Sequence, residues 1–172
     1  VINRVLVLLE GANLIKPSTT AEQALYNSYL AEARALRAFS YLQLLQHFST
    51  DMSDPEALGV VLLDRIPNVD DMPARVKNSE IYSVIESDLN FAEANIVSRD
   101  NTQYYVSKNM ISALKARYYL YTKNYALAKE NALNVVNNSG LSLTIATPNP
   151  TPSASHPADT FKNNWHKGIN AY

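Results

Sequence analysis

Between Tyr29 and Phe48 apolar residues recur at steps of four and three. Ala31, Ala35, Ala38, Leu42 and Leu45 therefore share one face of a helix. The stretch holds no glycine, proline or β-branched residue, so nothing in it opposes helix formation. A second line (Tyr41, Leu44 or Leu45, Phe48) runs beside the first, and Leu36 and Phe39 widen the apolar arc. An arc this broad predicts a helix enclosed by neighbours on more than one side. The alanines admit another helix at close range and the larger residues fill space. This segment is the expected centre of an all-α array.

The pattern divides the rest of the chain. Residues 2–15 read as a helix with Ile2, Val5, Leu6, Leu9 and Asn13 on one side, weakened at Gly11 and ended by Lys16-Pro17. Ser18, Thr19 or Thr20 supplies a cap for a helix running through Ala21–Phe48, with a bend placed near Asn27-Ser28. Residues 49–78 carry Asp51, Asp54, Pro55, Gly59, Pro67, Asp70, Asp71 and Pro73, which break helices and predict a long insertion. Its apolar run Val60–Leu63 is expected to lie extended against the helices. Ser79 is the expected cap of a helix reaching Ile96, with the stripe Ile81, Ile85, Leu89, Ala92 and Ile96. Ser107 caps the next helix, to about Thr122, with Met110, Ala113 or Leu114, Arg117, Tyr118 and Tyr121 on one side. A short turn at Lys123-Asn124 makes the last helix, Tyr125–Asn138, its antiparallel neighbour. The inner stripe there is Tyr125, Ala128, Ala132 and Val135. Gly140 suits the left-handed residue that closes a helix, with Leu141 packing back. Residues 145–172, with Pro148, Pro150, Pro152 and Pro157 among Ser, Thr and Asn, read as an extended tail whose end Phe161 and Trp165 pin to the body.

Two charges sit awkwardly on this pattern. Asp88 lies four residues after Val84 and four before Ala92, at the edge of an apolar stripe, where a carboxylate needs a partner. Arg37 stands between Leu36 and Ala38, and Glu32, five residues away, is poorly spaced to meet it. A cross-helix ion pair between Arg37 and Asp88 is one reading; two snorkelling surface charges are the other.

Composition narrows the chemistry. The 172 residues, 47% hydrophobic and 18% charged, suit one globular domain with a real core. A net charge of −1 provides no long-range attraction to nucleic acid or to an anionic membrane. The absence of cysteine excludes disulfides, thiolate metal sites and thiol nucleophiles. The run Val5–Leu9 is too short to cross a bilayer. Four glycines form no phosphate-cradling loop and no Gly-x-Ser-x-Gly turn. His47, His156 and His166 lack ligand spacing, so no metal or other cofactor is expected. Asp70-Asp71 read as solvated loop carboxylates rather than a catalytic pair. These observations point away from an enzyme.

The last hairpin resembles a tetratricopeptide repeat, in which small residues on one helix receive an aromatic of the other: Ala116, Tyr119, then Ala128. Ala38 and Tyr41 repeat the step, with the helix from Ser79 as partner across the insertion. A longer ordered series is more specific. Glu32-Ala33-Arg34, Leu36-Arg37-Ala38-Phe39, Tyr41-Leu42-x-Leu44 and Phe48 resemble the signature helix of the SusD/RagB family. The series continues with Gly59-Val60-x-Leu62, Ile81-Tyr82, Asp88-Leu89 with Ala92, Ser107-Lys108, Ala116-Arg117, Tyr119-Leu120, Tyr125 with Ala128, and Gly140-Leu141. Ser49 and Val61 depart from the glycine and proline usual in the family, both in the insertion.

The resemblance implies an all-α, tetratricopeptide-like helical array over 1–144, with a long loop insertion at 49–78 and a coil tail. It further implies a non-catalytic glycan- or nutrient-binding lipoprotein at the outer-membrane surface, working with a SusC-like TonB-dependent transporter. Membrane attachment would come only from an N-terminal lipid anchor that this chain does not contain. Starting at Val1 and ending soon after Trp165, the chain is expected to be a processed or shortened piece, the N-terminal part of such a protein. A helical protein-interaction module with no glycan site is the competing expectation. Tyr104, Tyr105 and Trp165 are the candidate ligand-binding residues: an aromatic face suits the C–H face of a pyranose and the polar edge suits its oxygens. Hydrophobic anchoring of a loop is the competing role for each.

Overall fold

The central helix forms because its N-terminus is closed by side chains and its interior by apolar burial. In the computed structural model, which describes residues 1–97 and 104–140, helix α2 runs uninterrupted over Thr20–Phe48. Thr19 caps it: its hydroxyl accepts the Glu22 N–H at 3.2 Å, and the Glu22 carboxylate accepts from the backbone N–H groups of Ser18 and Thr19. Those bonds hold the exposed Glu22 carboxyl below its ordinary pKa, the Ser18 hydroxyl contributing most. Ala31, Ala35, Ala38, Leu42 and Leu45 are all buried.

Four more helices and a small sheet make up the rest of the described elements, each joining α2 directly or, like the last helix, through a neighbour against it. Helix α1 covers Ile2–Ala12 and ends earlier than its apolar pattern suggests, with Asn13 as an exposed C-cap residue. Helix α3 covers Asn78–Asn95, α4 Lys108–Tyr121 and α5 Tyr125–Asn138. The stripe Ile81, Ile85, Leu89, Ala92 and Ile96 is buried throughout, and α3 packs along α2. Val1–Ser139 packs as one unit. The expected coil tail, with Leu141, Phe161 and Trp165, lies outside the described residues.

The insertion contains more order than its proline and aspartate content suggests. Leu58–Val61 forms strand β1 and pairs antiparallel with β2, Arg75–Lys77. Leu58 faces Lys77 and Val61 faces Arg75, so β1 carries an extra residue, a bulge. Arg75 reaches back across it: its guanidinium donates to the carbonyls of Gly59 (2.5 Å), Phe48 (2.6 Å) and Leu58 (3.1 Å). That ties the sheet to the C-terminus of α2, where unpaired carbonyls favour a cation. Gly59 is required by close approach. A Cβ there would lie 2.8 Å from both Asn78 Oδ1 and Ile81 Cδ1.

Several local expectations need correction. Ser79 does not cap α3. Lys77 holds the cap position, with its N–H donating to Glu80 Oε1 at 3.3 Å, while Asn78 is wholly buried as an organiser of the insertion. Its side-chain amide donates to the carbonyls of Asp51 (2.7 Å) and Asp54 (2.9 Å), and its Oδ1 accepts from the Ser49 hydroxyl (3.0 Å). The rod α2 is not wholly enclosed: Tyr29, Phe48 and part of Leu36 face solvent because no element covers that arc. On α4 the buried face is Ile111, Ser112, Leu114, Lys115 and Tyr118, whereas Ala113, Arg117 and Tyr121 are exposed. On α5 only Ala128 is buried, and Tyr125 and Ala132 lie open.

The turn between α4 and α5 has the double hydrogen bond of a Schellman closure. Asn124 N–H donates to Tyr119 C=O (2.8 Å) and Lys123 N–H to Leu120 C=O (3.2 Å). Lys123 takes the left-handed conformation, φ 60°, that glycine usually supplies. Ser107 caps α4 by accepting the Met110 N–H at 3.2 Å, and Gly140 is left-handed beyond α5, φ 69°.

Candidate functional site

The helical interior holds paired charge. Arg37 Nε donates to Asp88 Oδ2 at 2.7 Å and Nη2 to Oδ1 at 2.9 Å, a two-pronged contact across the α2–α3 seam. Asp88 is 1% exposed. Its hydrogen bond raises the pKa of Arg37 further above an already high value. With each oxygen bonded to a permanent cation, the buried Asp88 carboxylate joins two helices.

The α3–α4 seam behaves similarly. Tyr118 donates to Glu86 Oε1 at 2.9 Å and lies edge-on to Tyr82, ring centres 5.6 Å apart. Burial is the chief reason that the Tyr118 phenol is pushed far up, and that the Tyr82 phenol is pushed up to about 12, Asp51 and Asp54 adding to the latter. Neither ring ionises near neutrality, so neither is a phenolate base or nucleophile. Lys115, buried on α4, is neutralised by Glu93 at 2.5 Å. Arg34 lies over the Phe91 ring, 4.1 Å from its centre. Lys115 was invisible to the apolar-periodicity reading because lysine normally marks a solvated face.

Tyr104 and Tyr105 lie three and two residues before the Ser107 cap and are 75% and 46% exposed. Trp165, the third candidate, lies outside the described residues. Apolar grooves flank the array, and two of them bear on its exposed helix faces. One, about 460 Å³, lies between α1 and α2, lined by Val5, Leu8, Tyr29 and Leu36. The other, about 480 Å³, lies on the outer side of α4–α5, lined by Leu120, Tyr125, Ala128 and Ala132. His47 stands exposed in the last turn of α2. Asp71 is engaged by Arg65 (2.6 Å) and the Asn68 N–H (2.9 Å), which holds its carboxyl below the ordinary range, while Asp70 is exposed. Among the described residues no three His, Cys, Asp or Glu side chains are grouped to hold a metal ion, and no helix is long and apolar enough to cross a membrane.

This arrangement of helices is found in known structures. A SusD superfamily protein from Bacteroides fragilis matches 83% of this chain at 26% identity with a TM-score of 0.66. A SusD superfamily protein from Bacteroides thetaiotaomicron matches 81% at 22% identity, TM-score 0.69. A laminarin-binding SusD-like protein matches 78% at 25% identity, TM-score 0.63. No family model and no curated protein sequence matches. The chain is SusD-like: its helical array has the fold of that superfamily, a fold carried by carbohydrate-binding proteins. It spans 33%, 30% and 27% of the lengths of those three proteins.

Proposed function

We propose that this chain is the helical part of a non-catalytic glycan- or nutrient-binding protein that works with a SusC-like TonB-dependent transporter at the outer-membrane surface. One observation carries the reading: the likeness, along most of this chain, to SusD-like proteins that include a laminarin binder. The Arg37–Asp88 pair is consistent with a structural part of such a protein, since it joins two helices of the array. In this reading Tyr104 and Tyr105, with Trp165, supply aromatic faces for sugar rings.

Calorimetric titration with laminarin fragments and then a panel of other oligosaccharides tests it, using the full-length protein. The expected result is heat with at least one glycan and about tenfold weaker binding for Tyr104→Ala, equivalent to roughly 1.4 kcal/mol. Absence of heat with every glycan would favour the second reading, a helical interaction module without a glycan site. The open apolar grooves on α1–α2 and α4–α5 are the observations on that side.

A further inference from the structure

The far end of the insertion carries two large apolar side chains with almost no cover. Val69 is fully exposed and Met72 is 95% exposed. Loop residues this bare are ordinarily on a slack segment, yet this one is fastened at several points. The Tyr41 hydroxyl accepts the Leu63 N–H at 2.9 Å and donates to the Leu63 carbonyl at 3.2 Å. Glu10 of α1 accepts the Ile66 N–H at 2.9 Å. Asp71 accepts from Arg65 and from the Asn68 N–H, and its own N–H donates to the Asn68 carbonyl at 3.1 Å. Pro67 and Pro73 restrict the backbone on either side.

We propose that this tip, Val69 and Met72 on their braced loop, is a protein-docking knob that enters an apolar socket edged by lysine or arginine on the transporter partner. The inference rests on the proposed transporter partnership. Its occupant follows from shape and charge. Ordering the loop in advance removes much of the entropic cost of docking. Residues 62–73 carry Asp64, Asp70 and Asp71 against Arg65 alone, a net charge of −2, and Glu10 adds to the field beside them. Asp71 is paired with Arg65, which leaves Asp64 and Asp70 near the apolar tip in sequence, and such acidic neighbours favour a hollow with a basic edge. The same charge disfavours an anionic bilayer, which attracts basic segments instead. The flexible thioether of Met72 suits a contact that must re-pack on closing.

The test is co-purification from outer membranes of the full-length protein with the TonB-dependent transporter encoded beside it, comparing wild type with Val69→Asp/Met72→Asp. The expected result is at least tenfold less transporter recovered, with unchanged thermal midpoint and helical circular dichroism, since both side chains are solvated. Asp70→Lys is expected to weaken recovery less, and most at low salt. An intact complex with the double variant would overturn this inference while leaving the transporter partnership standing. Failure of the wild type to recover transporter would overturn that partnership and this inference together. Loss of binding to phosphatidylglycerol vesicles by the double variant, with the complex preserved, would assign the tip to a lipid surface and also overturn it.

Discussion

The α2–α3 pair and the α4–α5 hairpin are built from the same small-x-x-aromatic steps, yet they bury very different shares of their surface. On α3 the whole stripe from Ile81 to Ile96 is sealed, because α2, α4 and the two strands lie against it. On α5 only Ala128 is sealed, because α4 is its sole neighbour among the described elements. An amphipathic stripe in a repeat array states which residues prefer to be covered; coverage itself depends on position in the stack.

The largest test of this contrast is the ion pair in the sealed seam. Asp88→Ala leaves the Arg37 guanidinium without its carboxylate, and urea unfolding is expected to show a loss of about 4 kcal/mol. Replacing both partners by Leu and Met should recover most of it, which a double-mutant cycle measures. Next comes a matched pair of truncations. Ile85→Ala is expected to destabilise by about 3 kcal/mol, the range for a buried aliphatic residue. Leu133→Ala, on the open side of α5, should change stability by no more than about 0.5 kcal/mol. A Leu133 effect close to that of Ile85 would break the contrast and show that the outer face of α5 is covered in solution. The smallest effect belongs to the hairpin turn. Lys123→Gly relieves a left-handed lysine and is expected to raise stability by roughly 0.5–1 kcal/mol, read from the thermal midpoint.

Legibility in the sequence follows the same division. The α2 and α3 stripes could be read residue by residue because a helix sealed on its apolar side obeys its own periodicity. The chosen faces of α4 and α5 were less legible. Arg117, Tyr121 and Tyr125 look like packing residues by spacing, but among the described residues they stay exposed. The cap at Ser107 was readable from a hydroxyl before an apolar run, whereas three adjacent hydroxyls, Ser18, Thr19 and Thr20, left the α2 cap open until the structure placed it at Thr19. Ser79 misled because Asn78, one residue earlier, is already inside the helix and engaged with the insertion. For Arg37 and Asp88, helix phase put each at the edge of an apolar arc, but the relative rotation of two helices is not written in either one. The β1–β2 pairing was hidden for a similar reason: Arg75–Lys77 alternates over only three residues, too few to read as a strand before it lies against Leu58–Val61. At the candidate site, the exposure of Tyr104 agrees with its place in a polar loop, whereas the bracing of Val69 and Met72 depends on Glu10 and Tyr41, far away in sequence.

The Tyr41 phenol does for Leu63 what an adjacent strand would do, serving both its amide and its carbonyl from a position locked inside the core. That staple divides the excursion into two independent bights. The nearer contains the sheet and the Asn78 knot; the farther spans little more than the tip. Because closure entropy rises only logarithmically, doubling the outer bight adds merely about 0.6 kcal/mol. Lengthening the outer bight is thus expected to leave the helical chassis as it is.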